Sequence, residues 1–107
     1  MLIYDQVQYY RTLDGSCDIQ FGFKHFYDGW RAYILTPLNY WHRPTDLHST
    51  HRLYDSAHGL YYVCWTPPPS TLNAVKAVAA IWANTTMHYI RTGIPIDTQF
   101  QQLVGGK

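Results

Sequence analysis

Between Pro44 and Leu53 the chain crowds protonatable, hydroxyl and cationic side chains into one run, Pro44-Thr45-Asp46-Leu47-His48-Ser49-Thr50-His51-Arg52-Leu53. His48 and Arg52 stand four apart, a spacing that shares one face in a strand, with its period of two, and in a helix, where i and i+4 stack. Thr50 joins them if the segment is extended, and His51 joins them if it is helical. An imidazole, a hydroxyl and a permanently charged guanidinium on one patch are the equipment for gripping an oxyanion such as phosphate. Tyr33, Tyr40, Trp41 and Trp65 could stack a base or ring while Arg31, Arg43 and Arg52 meet phosphates. The candidate ligand-binding set is therefore Arg31, Tyr33, Trp41, Arg43, His48, Thr50, His51 and Arg52.

The same run admits other chemistry. His48-x-x-His51 offers two imidazoles to a metal, with Cys64 or His42 as third ligand, a donor set suited to zinc. The adjacent guanidinium of Arg52 opposes a cation, and no C-x-x-C pair accompanies the histidines. His48-Ser49-Thr50 resembles the His-x-Thr element of 2H phosphoesterases, a family whose two copies imply an acid and a base across a phosphodiester. Here there is one copy, and His58-Gly59-Leu60 and His88-Tyr89-Ile90 do not supply the second. A purely structural reading has His48 bonded to a carbonyl and Asp46 capping a turn while pairing with Arg52 or Arg43. The balance favours binding over turnover, with no catalytic residue, metal or cofactor assigned.

Composition narrows the setting. A chain of 107 residues is one domain with one core. Charged residues make up only 14%, which argues for an ordered globule, and ten Tyr with four Trp suit a core, a pocket or a subunit interface equally. The net charge of +1, with every acid an Asp, gives little support for a general nucleic-acid binder. Charge is unevenly placed, however: from Arg31 to Arg52 three arginines face one acid, Asp46, for a local +2. His42, His48 and His51 would add to it below about pH 6.5. Cys17 and Cys64 could form one bridge at most, and no signal peptide or apolar run long enough for a membrane is present, so free thiols and a cytoplasmic setting are expected.

The elements that must position these residues read as follows. Asp5-Gln6-Val7-Gln8 has the form of a capping box and predicts a short helix with Val7, Tyr10 and Leu13 inward, ended by Gly15. Cys17 to Phe23 and Trp30 to Thr36 read as strands about an Asp28-Gly29 turn. Pro37 to Asp46 is a long loop carrying Tyr40 and Trp41, placed either as a lid on the core or as part of a site. His51 to Asp55 and Leu60 to Thr66 read as a hairpin, with Tyr61-Tyr62-Val63-Cys64-Trp65 as central strand stopped by Pro67-Pro68-Pro69. Ser70 caps a long helix from Thr71 to Thr92, with Val75, Val78, Ala79, Trp82, Thr86 or Met87, and Tyr89 as buried stripe and Gly93 beyond its end. The expected fold is α+β in two layers: a short N-terminal helix, an antiparallel sheet of about four strands in meander, and a long C-terminal helix packed on it. Residues 1–93 form the domain, and 94–107, with Ile94, Ile96, Phe100 and Leu103, an apolar arm. The arm and the aromatic surplus together predict a homo-oligomer.

Two wider resemblances follow. Helix, strands, helix is the order of the double-stranded RNA-binding domain, and Ser70 to Ala80 resembles the start of that family's second helix. Where that family places phosphate-binding lysines, this chain has Thr71 and Leu72, so nucleic acid is not the expected partner. Trp30-Arg31-Ala32-Tyr33-Ile34, Asp46 to Leu53, Tyr62-Val63-Cys64-Trp65 and Ile90-Arg91-Thr92-Gly93 resemble a group of small bacterial proteins that travel with prophages and conjugative elements. That resemblance implies an origin, and by analogy an anti-defence role. Three functions are then open: a sponge that sequesters a phosphate-bearing nucleotide-type ligand such as an immune signal, an inhibitor that binds a host defence protein, and a His48-dependent phosphodiesterase.

Overall fold

The computed structural model describes residues 2–105, the side chains of residues 102–105 excepted. The long helix is where the sequence places it. Helix α2 (Leu72–Thr92) is capped one residue later than expected, by Thr71 and not Ser70, and the Thr71 hydroxyl accepts from Ala74 N at 3.1 Å. Gly93 closes it in the left-handed region at φ 79, and its N–H returns to Tyr89 O. A side chain there would be doubly opposed, since a Cβ on Gly93 would sit 2.8 Å from Arg43 Nη1. Val75, Val78, Ala79, Trp82, Thr86 and Tyr89 are buried as the three-and-four spacing predicts, and Thr86 rather than Met87 takes the fully buried place.

The N-terminal helix is not formed; those residues are strand β1 (Gln6–Arg11). A capping box is a local signal, and here Asp5 is used across the sheet instead, its Oδ2 accepting from His25 N and its own N–H donating to Phe23 O, both at 2.8 Å. The long strand β2 (Asp18–Phe26) offers β1 a full ladder, which outweighs one turn of helix. With β3 (Gly29–Ile34), β4 (Arg52–Asp55) and β5 (Leu60–Val63) the sheet has five strands, antiparallel throughout, in the order β1-β2-β3-β5-β4. It is therefore not a simple meander. The connection after β3, with the one-turn helix α1 (Leu47–Thr50), is long enough to carry the chain one strand position too far. β5 then returns to fill the gap, pairing with β3 through Tyr33–Tyr62 and Ile34–Tyr61.

Alternation divides the sheet into two faces. Ile19, Phe21, Phe23, Ala32, Ile34 and Val63 point one way and make the main core with Val75, Val78, Ala79, Trp82 and Ala83 of α2. Residues of opposite parity, among them Arg31, Tyr33 and Tyr62, point to a face that no helix covers. Trp82 is 1% exposed; its ring meets Phe21 edge-on at 6.1 Å and its Nε1 donates to Thr50 O at 3.0 Å. The expected arm is in fact helix α3 (Ile96–Gly105), docked on α1 and α2. Ile96 is buried against Tyr40, Tyr89 and Ile90, with Phe100 beside them, and Gln99 Nε2 donates to Thr85 O and Ile94 O. Leu103, also expected to pack, lies outside the described side chains. Cys17 and Cys64 are free, and no helix among the described residues is long and apolar enough to cross a membrane.

Two outcomes test this packing. Trp82→Ala should destabilise the fold by about 3–5 kcal/mol in denaturant unfolding, because it opens a cavity and orphans the Thr50 carbonyl; an unchanged midpoint would show that the indole is not the centre of the core. In the β1–β2 turn, Asp14 accepts from Ser16 N, Ser16 Oγ and Thr12 Oγ1 and meets Arg91 Nε at 3.1 Å. Those bonds, the Ser16 N–H first, lower its pKa from the ordinary 3.8 to about 2. A depressed carboxylate contributes stability above its unfolded pKa and loses it as pH falls through the folded one. The melting temperature of the wild type should thus fall between about pH 4 and pH 2 more steeply than that of Asp14→Asn, and parallel curves would remove Asp14 from the account.

Candidate functional site

Asp46 caps α1, its carboxylate accepting from Ser49 N, and the helix ends after one turn because His51 takes the left-handed conformation at φ 51. Arg52 then opens β4. The chain changes direction between His48 and Arg52, so neither a continuous strand nor a continuous helix brings them onto one face. Thr50 is fully buried, its hydroxyl donating to Asp46 O at 2.9 Å and its carbonyl holding Trp82. His48 and His51 turn instead to Asp97 at the start of α3, with Nε2 atoms 3.2 and 2.8 Å from its two oxygens, and His51 meets Phe100 edge-on. These contacts set α1 against α3 at ion-pair distance without a hydrogen bond at His51, whose Nε2 is buried and has no hydrogen-bond partner among the described residues. Among the described residues no group of three metal-ligating side chains could hold an ion, and Asp97, not Cys64 or His42, is what the pair meets. Thr50 cannot complete a His-x-Thr phosphate contact while its hydroxyl stays buried on Asp46.

Arg43 is committed as well. Its Nε donates to Ile90 O and its Nη2 to Arg91 O, at 3.1 and 3.2 Å, so it satisfies carbonyls that the end of α2 leaves open. Arg31 and Tyr33 lie on the face away from α2, where Tyr4 packs on Tyr33, across the sheet from Arg52, which is paired with core residue Val63. The Arg31 guanidinium lies over the rings of Phe26 and Tyr62, at 4.2 and 4.5 Å, and donates to Tyr33 Oη. Tyr33 in turn donates to Asp55 Oδ2 at 2.8 Å, where His58 Nδ1 also binds at 2.9 Å. Burial, and then the bond to Asp55, pushes the Tyr33 phenol up to about 12, while His58 and then Tyr33 hold Asp55 below the usual carboxylate range. Sequence reasoning missed Asp55, His58, Phe26 and Tyr62 here; the period-two placing of Arg31 and Tyr33 was the available signal, but their partners lie on other strands. Beside them, where β5 leaves β3, a cleft of about 180 Å³ opens between Trp30, Arg31, Tyr62 and Trp65. Its one cation is already bonded.

Arg52 differs. Its guanidinium is held between two aromatic rings, 3.8 Å from the centre of Tyr61 and 4.9 Å from that of Tyr40. Arg11 pairs with Asp18, Arg31 with Tyr33, Arg43 with helix carbonyls and Arg91 with Asp14. Arg52 has no acceptor among the described residues, and its Nε is buried without a partner. The hydroxyl of Tyr40 is likewise buried and unpartnered, its pKa pushed up to about 12 by burial against the opposing charge of Arg52. Both residues line an open bowl of about 500 Å³ with Leu38, Asn39, Trp41 and Thr45. Trp41 is 73% exposed and left-handed at φ 57, a conformation held by Asn39 Oδ1, which accepts from its N–H at 2.8 Å. A planar cation held against the buried Tyr40 ring and an exposed indole, bordering one open hollow, can bind an anion joined to a flat ring. Neither His48 nor His51 reaches the bowl to act as base.

Comparison with family models, with curated proteins and with solved structures finds no match to this chain.

Proposed function

We propose that the protein binds, without turning it over, a small nucleotide-type ligand in the bowl around Arg52. The observation that carries this is the guanidinium of Arg52: a partly buried cation, fixed between the rings of Tyr40 and Tyr61, with no carboxylate or carbonyl to meet it among the described residues. Charged groups at the border of a hollow are normally answered by an acceptor, and Arg52 has none among the described residues, so its guanidinium is the group that an acceptor from outside the chain would meet. A phosphate would supply it. Trp41 then offers the stacking surface for the base, in the manner of sites that grip the backbone with cations and the ring with an aromatic. The likeness to proteins of prophages and conjugative elements extends the proposal: the ligand is a nucleotide signal of bacterial immunity, and the protein is a sponge for it. The exposure of Trp41 favours one second reading, in which the indole is an anchor inserted into a host defence protein.

A thermal-shift screen with cyclic dinucleotides, ADP-ribose and inorganic phosphate would find the ligand class, and calorimetry on the best hit would test the site. Arg52→Ala should weaken binding about ten- to a hundredfold, as loss of a charge-assisted contact of about 1.5–3 kcal/mol requires. Arg52→Lys should not restore it, because an ammonium offers neither the flat fork nor the stacking plane. Trp41→Ala should weaken ring-bearing ligands and leave inorganic phosphate unaffected. Equal affinity in wild type and Arg52→Ala would move the site elsewhere, and recovery of a hydrolysed ligand would make the protein an enzyme.

A further inference from the structure

We infer that two copies of this chain join through their β1 edges, forming one continuous ten-stranded sheet about a two-fold axis at Gln8. β1 is an outer strand, and its register with β2 decides which of its backbone groups are free. Thr12 N donates to Cys17 O, and the same parity along the ladder turns Gln6, Gln8 and Tyr10 toward β2. The N–H and C=O groups of Val7, Tyr9 and Arg11 therefore point outward, away from the molecule. No proline or lysine interrupts this edge, the usual devices against strand addition. The other outer strand, β4, is only four residues long and begins and ends on charges.

The edge is complementary to itself in one register. Antiparallel pairing requires outward residues opposite one another. With Gln8 facing Gln8 of the second copy, Val7 faces Tyr9, and each such pair exchanges two backbone bonds. Just outside the ladder, Asp5, at the bend where β1 begins and bonded inward to Phe23 O and His25 N, comes near Arg11 of the second copy with opposite charge, while Arg11 already holds Asp18 on its other side. Val7 and Tyr9, which that register sets opposite each other, are both large apolar residues left exposed in the single chain, at 47% and 64%. Shifting the pairing by two residues either way separates Asp5 from Arg11. Nor does the helix layer obstruct the joint: α2 lies over β2, β3 and β5. At about 4.8 Å per strand the two long helices would run roughly 20 Å apart.

Light scattering and cysteine cross-linking test the inference on the full chain. Wild type should show twice the 12.5 kDa chain mass. Tyr9→Pro removes only an outward N–H, a place where a sheet tolerates proline, and should halve the measured mass. Since that substitution could also unfold the chain, Val7→Lys with Tyr9→Lys serves as a second variant, expected to be monomeric with an unchanged circular dichroism spectrum. Gln8→Cys should cross-link to itself under diamide, because facing residues of that class approach to about 4.5 Å, within disulfide reach; Gln6→Cys and Tyr10→Cys should each stay uncross-linked beyond the wild-type level set by Cys17 and Cys64. A monomeric wild type, a dimer that survives both edge variants, or cross-linking at position 6 or 10 in preference to 8 would overturn it.

Discussion

The indole N–H of Trp82 constrains much of the molecule. A ring of that size fills the centre of the core, but its N–H cannot be left unbonded there, and the acceptor it finds is the carbonyl of Thr50. That bond fixes the last residue of α1 to the middle of α2. The left-handed turn at His51 follows, and with it the point at which Arg52 enters β4. The position of Arg52, which has no acceptor among the described residues, is thus set by a hydrogen bond in the core some distance from it. His48 and His51 are placed by the same turn, and both lie against Asp97 at the start of α3.

The arginines show how a chain with few charges distributes them. Arg11 and Arg91 tie the sheet edge and the helix to the turn and strand around Asp14 and Asp18. Arg43 answers carbonyls, and Arg31 is shared between two rings and a tyrosine whose hydroxyl donates to Asp55. Each of these cations is consumed by the fold. Proximity in sequence to a histidine-rich run says nothing about which arginine escapes; only the full set of acceptors does.

How far the sequence could be read follows from the range of each signal. α2 was legible because cap, stripe and terminal glycine all lie within the helix itself, and the two-layer α+β class follows from it and from the strand-like runs. β1 was misread because a capping box is indistinguishable, locally, from an aspartate that reaches across to the next strand. The extra strand crossing and the docking of α3 depend on contacts between residues far apart in the chain, which periodicity does not encode. Of the candidate site, the sequence indicates only a neighbourhood: Trp41 and Arg52 border one hollow. Its membership was not legible, since His51 at positive φ breaks the four-residue spacing that had joined His48 to Arg52, and Tyr40 and Tyr61, which hold Arg52, come from a loop and from another strand.

The loop before α1 is tied down by Arg43 on the carbonyls of Ile90 and Arg91, by Pro44 O accepting from Tyr89, and by Arg43 N on Tyr40 O. Fixing a residue of free chain costs about 1–2 kcal/mol in conformational entropy, a charge that binding sites built on loose loops incur when the ligand arrives. Here the ordering is completed during folding, at the end of the same helix that supports the sheet. Trp41 stands on a segment already immobilised on both sides, so a guest meeting its indole would not also incur the cost of ordering that loop.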